Sequence, residues 1–346
     1  VRVGTGTGAE SLALALQDGA RQRGWKIVLI EPFAPGNSYQ PSYDARSSAL
    51  SYGTQQIYQR FGLWPELSRH VAAIAQIHVS ERGRFGATRL TAAEEGVPAL
   101  GYVVENAWLG QCLWRALDPA VVEWRCPAQV DALEALDDGY RLTLDDASTL
   151  DCDLAVLADG GRSGLREQLG IAVQTTPYRQ TALIANITPA EAHAGQAFER
   201  FTEGGPLALL PMQEGLSSLV WSVPRDEAQA LMALDDAAFL ARLQQAFGWR
   251  LGRFVRTGAR HLYPLVLTVA DYPLANKHPD WVKTATNKTL DDITLESVLS
   301  GKITAQDMRI TPEILRIQAD IARSAGRDRL AMNFERAAEL TAVPDE

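Results

Sequence analysis

The chain has 346 residues, 46% of them hydrophobic, enough to bury one large core or two medium ones. A net charge of −9, with no block of Lys or Arg, excludes the basic face that a nucleic-acid binder needs. Cys112, Cys126 and Cys152 form no CxxC pair, no apolar run reaches the roughly 18–20 residues that span a bilayer, and no signal-peptide pattern opens the chain. A reducing, cytoplasmic setting is therefore expected.

Residues 1–31 read as strand, Gly-rich loop, helix and strand. Leu12, Leu14 and Leu16, with interspersed alanines, predict a buried helix from Ala9 to Arg23, stopped by Gly24 as a left-handed cap. The wholly apolar Ile27–Ile30 predicts a parallel strand covered on both faces. Asp44 and Arg46, in "YDARSSALS", precede a predicted helix. Residues 72–90 alternate weakly and predict an antiparallel hairpin with a Gly-containing turn. A helix follows over 107–117, then three strand-like runs, "QVDALEAL", "YRLTLDD" and "DLAVLADG". Alternating segments from 179 to 267 predict a mostly antiparallel sheet, interrupted by one helix near 236–246. Trp64, Trp108, Trp114, Trp221 and Trp249 are expected to pack in cores or between domains.

After 270 the character changes. Lys26 is the only lysine up to Ala270, whereas the next 32 residues hold four, Lys277, Lys283, Lys288 and Lys302. Thr311, Pro312 and Glu313 then supply an N-cap, a first-turn proline and a first-turn acid. Ile314, Ile317 and Ile321 form one apolar stripe ending at Gly326, and Leu330, Phe334 and Ala337 begin a second. The pattern predicts a helical hairpin.

Two stretches carry chemistry. Gly4, Gly6 and Ala9 follow a strand and open a helix, and Glu31 closes the next strand. Glycines let a backbone approach a pyrophosphate at a helix N-terminus, and an acid at that place binds a ribose hydroxyl. A Gly-rich turn without a ligand is the alternative, and Glu10 places an anion near the phosphate position. In the second stretch, 154–171, a strand runs into Asp159 and Gly160, suited to a ribityl hydroxyl or to an ordinary Asp-Gly turn. A hydrolase elbow is excluded there, because Leu165 stands where G-x-S-x-G requires its last glycine. The five histidines show no metal-ligand spacing.

In this order the pieces resemble the class A flavin monooxygenases of the p-hydroxybenzoate-hydroxylase-like fold. Asp44–Ser51 matches D-x-R-x-x-A-L-S, and Ala158–Arg166 matches A-D-G-x-x-S-x-x-R. "GTQQIYQRFGLW", "VVENAWLGQCLW", "AFERFTEGGPLALLPM", "SLVWSVP" and "FGWRLG" resemble the ubiquinone-biosynthesis branch, the 2-polyprenyl-6-methoxyphenol hydroxylases. The resemblance covers about 1–270. It implies an α/β fold, with a Rossmann-like FAD-binding domain (1–71 and 95–178) interleaved with a mostly antiparallel β-sheet substrate domain (72–94 and 179–270). It also implies FAD as cofactor, held by Gly4, Gly6, Ala9, Glu31, Arg46, Gln111, Asp159 and Gly160, with NAD(P)H as reductant. The implied reaction is hydroxylation of a lipophilic, polyprenyl phenol with O2. Implied partners are a ubiquinone-biosynthesis complex and peripheral contact with the inner membrane, not nucleic acid.

The third landmark of that family, G-D-A-A-H followed by H-P and G-Q-G-x-N, is due soon after Leu265 and does not occur. Its loss implies weak FAD retention and impaired hydroxylation. Instead, Asp271–Glu346, beginning "DYPLANKHPDWVKTATNK", resembles the small subunit of B12-dependent diol and glycerol dehydratases. That resemblance implies docking onto a dehydratase large subunit. The chain reads as a composite joined near 271.

Overall fold

The computed structural model describes residues 2–3, 7–32, 46–158, 160 and 164–270, with Ser297, Ser300, Lys302, Arg316, Met332 and Glu335. Its contacts divide the chain into two compact units, Val1–Ala270 and Asp271–Glu346.

The first unit opens with β1 (Arg2–Val3), α1 (Thr7–Arg23) and β2 (Ile27–Ile30). Strands β1 and β2 run parallel, with Val3 opposite Ile30. Gly24 adopts φ +67, the left-handed conformation expected of the helix stop. Next come β3 (Ser47–Ser51), α2 (Tyr52–Arg60), α3 (Trp64–Leu67) and β4 (Val71–Ile74). Here the sequence reading needs correction: Arg46 precedes a strand, and the helix starts six residues later. Ser47–Ser51 finds a ladder partner that local propensity cannot foresee, and Ser51 caps α2 by accepting from the Thr54 N–H at 3.1 Å.

The hairpin β5 (Gln76–Glu81) and β6 (Ala87–Thr91) turns through Gly83 and Gly86, both at positive φ. The expected window of 72–90 is narrower in the structure, because Val71–Ile74 pairs elsewhere. It joins β7 (Gly101–Glu105), which also pairs β3, in a three-stranded antiparallel sheet. Helix α4 (Asn106–Ala116) and β8 (Val122–Arg125) follow. Then β9 (Val130–Leu136), β10 (Gly139–Leu144) and β11 (Thr149–Cys152) form a meander. Its third strand, "TLDC", is too polar and short to read as a strand alone. Strand β12 (Val156–Leu157) returns beside β1, completing an all-parallel sheet in the order β12-β1-β2-β8, and α5 (Leu165–Gln168) follows.

The large sheet is built from β13 (Val173–Pro189), β14 (Gln196–Thr202), β15 (Gly205–Pro211) and β16 (Ser217–Pro224), then β17 (Phe254–Thr257) and β18 (His261–Ala270). Its order is β17-β13-β16-β15-β14-β5-β6, with β18 on β13, and every pairing is antiparallel except β14 with β5. Two helices, α6 (Arg225–Ala233) and α7 (Asp236–Phe247), sit between β16 and β17 where one was expected. Helix α6 escapes the periodicity because its nine residues bury only Ala228 and Leu231.

Alternation along the strands gives this sheet two distinct faces. Leu183, Ile187, Leu207, Leu219 and Trp221 pack with Leu231, Phe239, Leu243 and Phe247 of the two helices. Burying each such side chain stabilises by about 1.5–3 kcal/mol. On the opposite face Ala197, Ile77 and Leu210 meet Ile74 and Val103 of the small β3-β7-β4 sheet. Trp108 and Trp221 are buried as expected, whereas Trp114 and Trp249 are 40% and 70% exposed and belong to no core.

In the second unit Ser297, Arg316, Met332 and Glu335 are helical. The expected cap at Thr311–Glu313, the stripes of Ile314, Ile317 and Ile321 and of Leu330, Phe334 and Ala337, and the stop at Gly326 lie outside the described residues.

Candidate functional site

The parallel sheet brings together strand ends far apart in sequence. Strand β1 ends directly before the Gly4–Gly6 stretch, β2 directly before Glu31, and β12 two residues before Asp159. These are three neighbouring strands of one parallel sheet, so the strand ends that precede these stretches share the carboxyl-end edge. That edge is where open α/β sheets bind ligands. Gly4, Gly6 and Asp159 themselves lie outside the described residues.

The 17-residue α1 rises from this edge. Ala9, in its first turn, is buried with Leu29 and Val122, so a small side chain there lets the helix lie close on the sheet. A side chain at Gly8 would meet nothing within 4 Å. Glu10 is buried. Its Oε2 lies 4.0 Å from the place a Cβ would take on Gly110, so the carboxylate is turned toward α4. Helices α1 and α4 are further tied by Gln17, which donates to the Ala116 carbonyl and accepts from the Asp118 N–H. Gln111 is buried on α4.

Glu31 is fixed by its backbone. Its N–H donates to the Arg125 carbonyl and its own carbonyl accepts from Ala128 N–H, both at 3.0 Å. Arg46 is anchored in the same way, its carbonyl accepting from Asn106 N–H at 2.8 Å. Its guanidinium Nη1 donates to the Tyr263 hydroxyl at 2.9 Å, joining the start of β3 to β18. Beside it, Ser47 Oγ is buried with no hydrogen-bond partner among the described residues. Gly160 takes φ +73 with open space where a Cβ would point, which favours glycine after β12. Tyr263 was not foreseen; the ladder that sets it opposite Ala182 carries no local signal.

These features fit a flavin dinucleotide. A helix N-terminus faces the edge for a pyrophosphate, open space at Gly8 and Gly160 admits close approach, and Ser47 Oγ is an unused hydroxyl. A cavity of about 670 Å3 lies on the other side of the large sheet, between α7 and β17, lined by Leu240, Trp249 and Phe254. None of the motif residues lines it, so it is not the candidate site. Among the described residues no cluster of His, Cys, Asp or Glu could hold a metal, and no helix is long and apolar enough to cross a membrane.

Comparison with known proteins divides the chain at nearly the same place. Residues 3–262 match the family described as "FAD binding domain", and residues 267–346 match "Dehydratase small subunit". Ubiquinone hydroxylase UbiL of Rhodospirillum rubrum is 36% identical over 271 residues, 78% of this chain and 62% of that protein. The propanediol dehydratase small subunit of Citrobacter freundii is 85% identical over 78 residues, 22% of this chain and 45% of that protein. The chain thus spans less than two thirds of either relative. In fold it is similar to p-nitrophenol 4-monooxygenase PnpA of Pseudomonas putida, with a TM-score of 0.59 and 17% identity over 78% of this chain and 69% of that one.

Proposed function

The chain belongs to the FAD binding domain family through residues 3–262, and from that premise we propose that it is an FAD-dependent hydroxylase of a lipophilic phenol. The observation that supports this reading is that β12, β1 and β2 lie side by side and parallel, so the chain leaves all three at one carboxyl-end edge. Bound FAD, reduced by NAD(P)H, supplies the activation of O2 and the delivery of one oxygen atom to the ring.

The chain's own residues bind, orient and exclude water. The N-terminus of α1 with Gly4 and Gly6 holds the pyrophosphate, and Glu31 accepts from the adenosine ribose. Asp159 and Gly160 serve the ribityl chain, and Arg46 and Gln111 flank the cofactor. Residues 1–71 and 95–178 form the cofactor domain, and 72–94 and 179–270 form the sheet that roofs the substrate. A polyprenyl phenol of ubiquinone biosynthesis fits the branch to which the Rhodospirillum relative belongs by name, and a prenyl tail brings peripheral contact with a membrane.

Absence of the third flavin motif makes this site a weak one. Titration of the full chain with FAD, followed by NAD(P)H-dependent bleaching of the flavin spectrum, tests the assignment. Saturable binding with bleaching supports it, and no flavin binding at any concentration refutes it. Retention of stoichiometric flavin through gel filtration would refute the weakness alone.

A second reading rests on the tail, whose 85% identity to a propanediol dehydratase small subunit suits docking onto a dehydratase large subunit. Co-purification of the two chains tests it.

A further inference from the structure

Register across the large sheet fixes which residues share the face turned away from α6 and α7. Val79, Glu199, Ala208, Val220 and Ile184 lie side by side in one row across five strands, and His261 ends it. One step along the strands on one side, Ala197 and Leu210 are packed against the small β3-β7-β4 sheet. One step on the other side, Tyr263 receives its bond from Arg46. The row therefore lies between two points where this face meets the cofactor-binding part of the first unit. Its members from Val79 to Ile184 are all partly buried, and Glu199 is the one carboxyl among aliphatic neighbours.

A carboxylate has no structural use in such a row. Among the described residues the Glu199 carboxyl makes no hydrogen bond or ion pair, and burial pushes it above the ordinary value. The other charged or titratable groups on this face are Glu81, paired with Arg84, and Arg256, opposite Thr188 on β17, together with His261 and Tyr263. Glu105 on β7 shares the face of Val103 that packs toward it. Burial accounts for the direction of the Glu199 shift.

We propose that Glu199 touches the substrate and accepts the proton of its phenol hydroxyl. The inference rests on the hydroxylase reading above and adds the residue that prepares the ring. In the step, the phenol O–H bond breaks, a carboxyl O–H bond forms on Glu199, and the electron pair stays on the phenolate oxygen. No oxidant or reductant enters. A phenolate is the more electron-rich ring, and Val79 and Ala208, directly beside Glu199 in the row, offer it an apolar surface.

The test compares 4-nitrophenol with its methyl ether, 4-nitroanisole, binding to the full chain in excess FAD by equilibrium dialysis. Glu199→Gln and Glu199→Leu should weaken nitrophenol by roughly tenfold or more, the scale of a hydrogen bond to a charged group, and leave nitroanisole unchanged. Nitrophenol affinity in the unsubstituted chain should also fall as the pH is lowered through the Glu199 titration, and Glu199→Gln should abolish that fall. Equal loss of both ligands, or loss of neither, overturns the assignment of Glu199 while the aromatic site stands. If neither ligand binds the unsubstituted chain, the aromatic site itself falls, and this proposal with it.

Discussion

Substitution of Gly101 by alanine probes how the small sheet positions Arg46. Gly101 opens β7 and pairs with Ser51 of β3. A Cβ at this position would lie 2.6 Å from the Leu50 carbonyl oxygen, a distance that real Cβ atoms do not adopt below 3.0 Å. Its backbone is not at positive φ, so the cost is one of contact and not of conformation. Strand β3 must retreat by at least 0.4 Å to clear the new methyl. Overpacking of this kind costs about 1–3 kcal/mol. In a unit of this size each kcal/mol lowers Tm by roughly 2–4 °C, which gives a fall of roughly 2–12 °C. Because Arg46 immediately precedes β3, its guanidinium moves too, and FAD affinity should fall with Tm. Thermal unfolding followed by tryptophan fluorescence reads the change, helped by the edge contact between Trp64 and Tyr102 at 4.7 Å. Gly8→Ala, which meets nothing within 4 Å, should not lower Tm. A Gly101→Ala chain as stable as the parent would refute the reasoning.

Three further outcomes are expected. Glu199→Gln should raise Tm at neutral pH, because the folded carboxyl titrates above its ordinary value of 4.5 and burial penalises the ionised form. That gain should vanish as the pH falls below 4.5, where the group is protonated in folded and unfolded chains alike; a gain constant with pH would contradict it. His78 carries the opposite sensitivity. Burial first, then Arg250, holds its pKa below 6.5, so the stability of a neutral imidazole is present above pH 6.5 and lost below it. His78→Asn should flatten that part of the pH–Tm curve. Cys112, buried and pushed up to about 12, should resist a thiol reagent under native conditions while Cys126 and Cys152 react first; equal labelling of all three by peptide mapping would contradict this.

Sequence periodicity revealed what depends on near neighbours. The Gly24 stop, the apolar β2 and the hairpin turn all follow from residues within a few positions of one another, and they occur as expected. It failed where a partner far along the chain decides the outcome. Ser47–Ser51 becomes a strand because Gly101–Glu105 lies alongside, and Thr149–Cys152 because Tyr140–Thr143 does. Toward the proposed site, glycines and acids after strands stand out in the sequence because phosphate and ribose recognition needs those residue types at fixed spacing. Tyr263 and Glu199 are not legible in this way. Each takes its place from cross-strand register, and a one-residue slip would turn either to the opposite face.

The junction between the two parts of the chain has a practical side. The flavin family match stops at 262, whereas the first structural unit runs to Ala270. The eight residues between these limits are not a dispensable linker. They contain Tyr263 and the whole outer stretch of β18, in which Val266 to Ala270 pair with Val173 to Pro177. Cutting after Leu262 would strip β13 of that partner, leave Arg46 without its hydroxyl, and bare a new strand edge to other chains. Cutting after Ala270 keeps all three. Anyone separating the halves should place the knife by hydrogen bonds and not by homology.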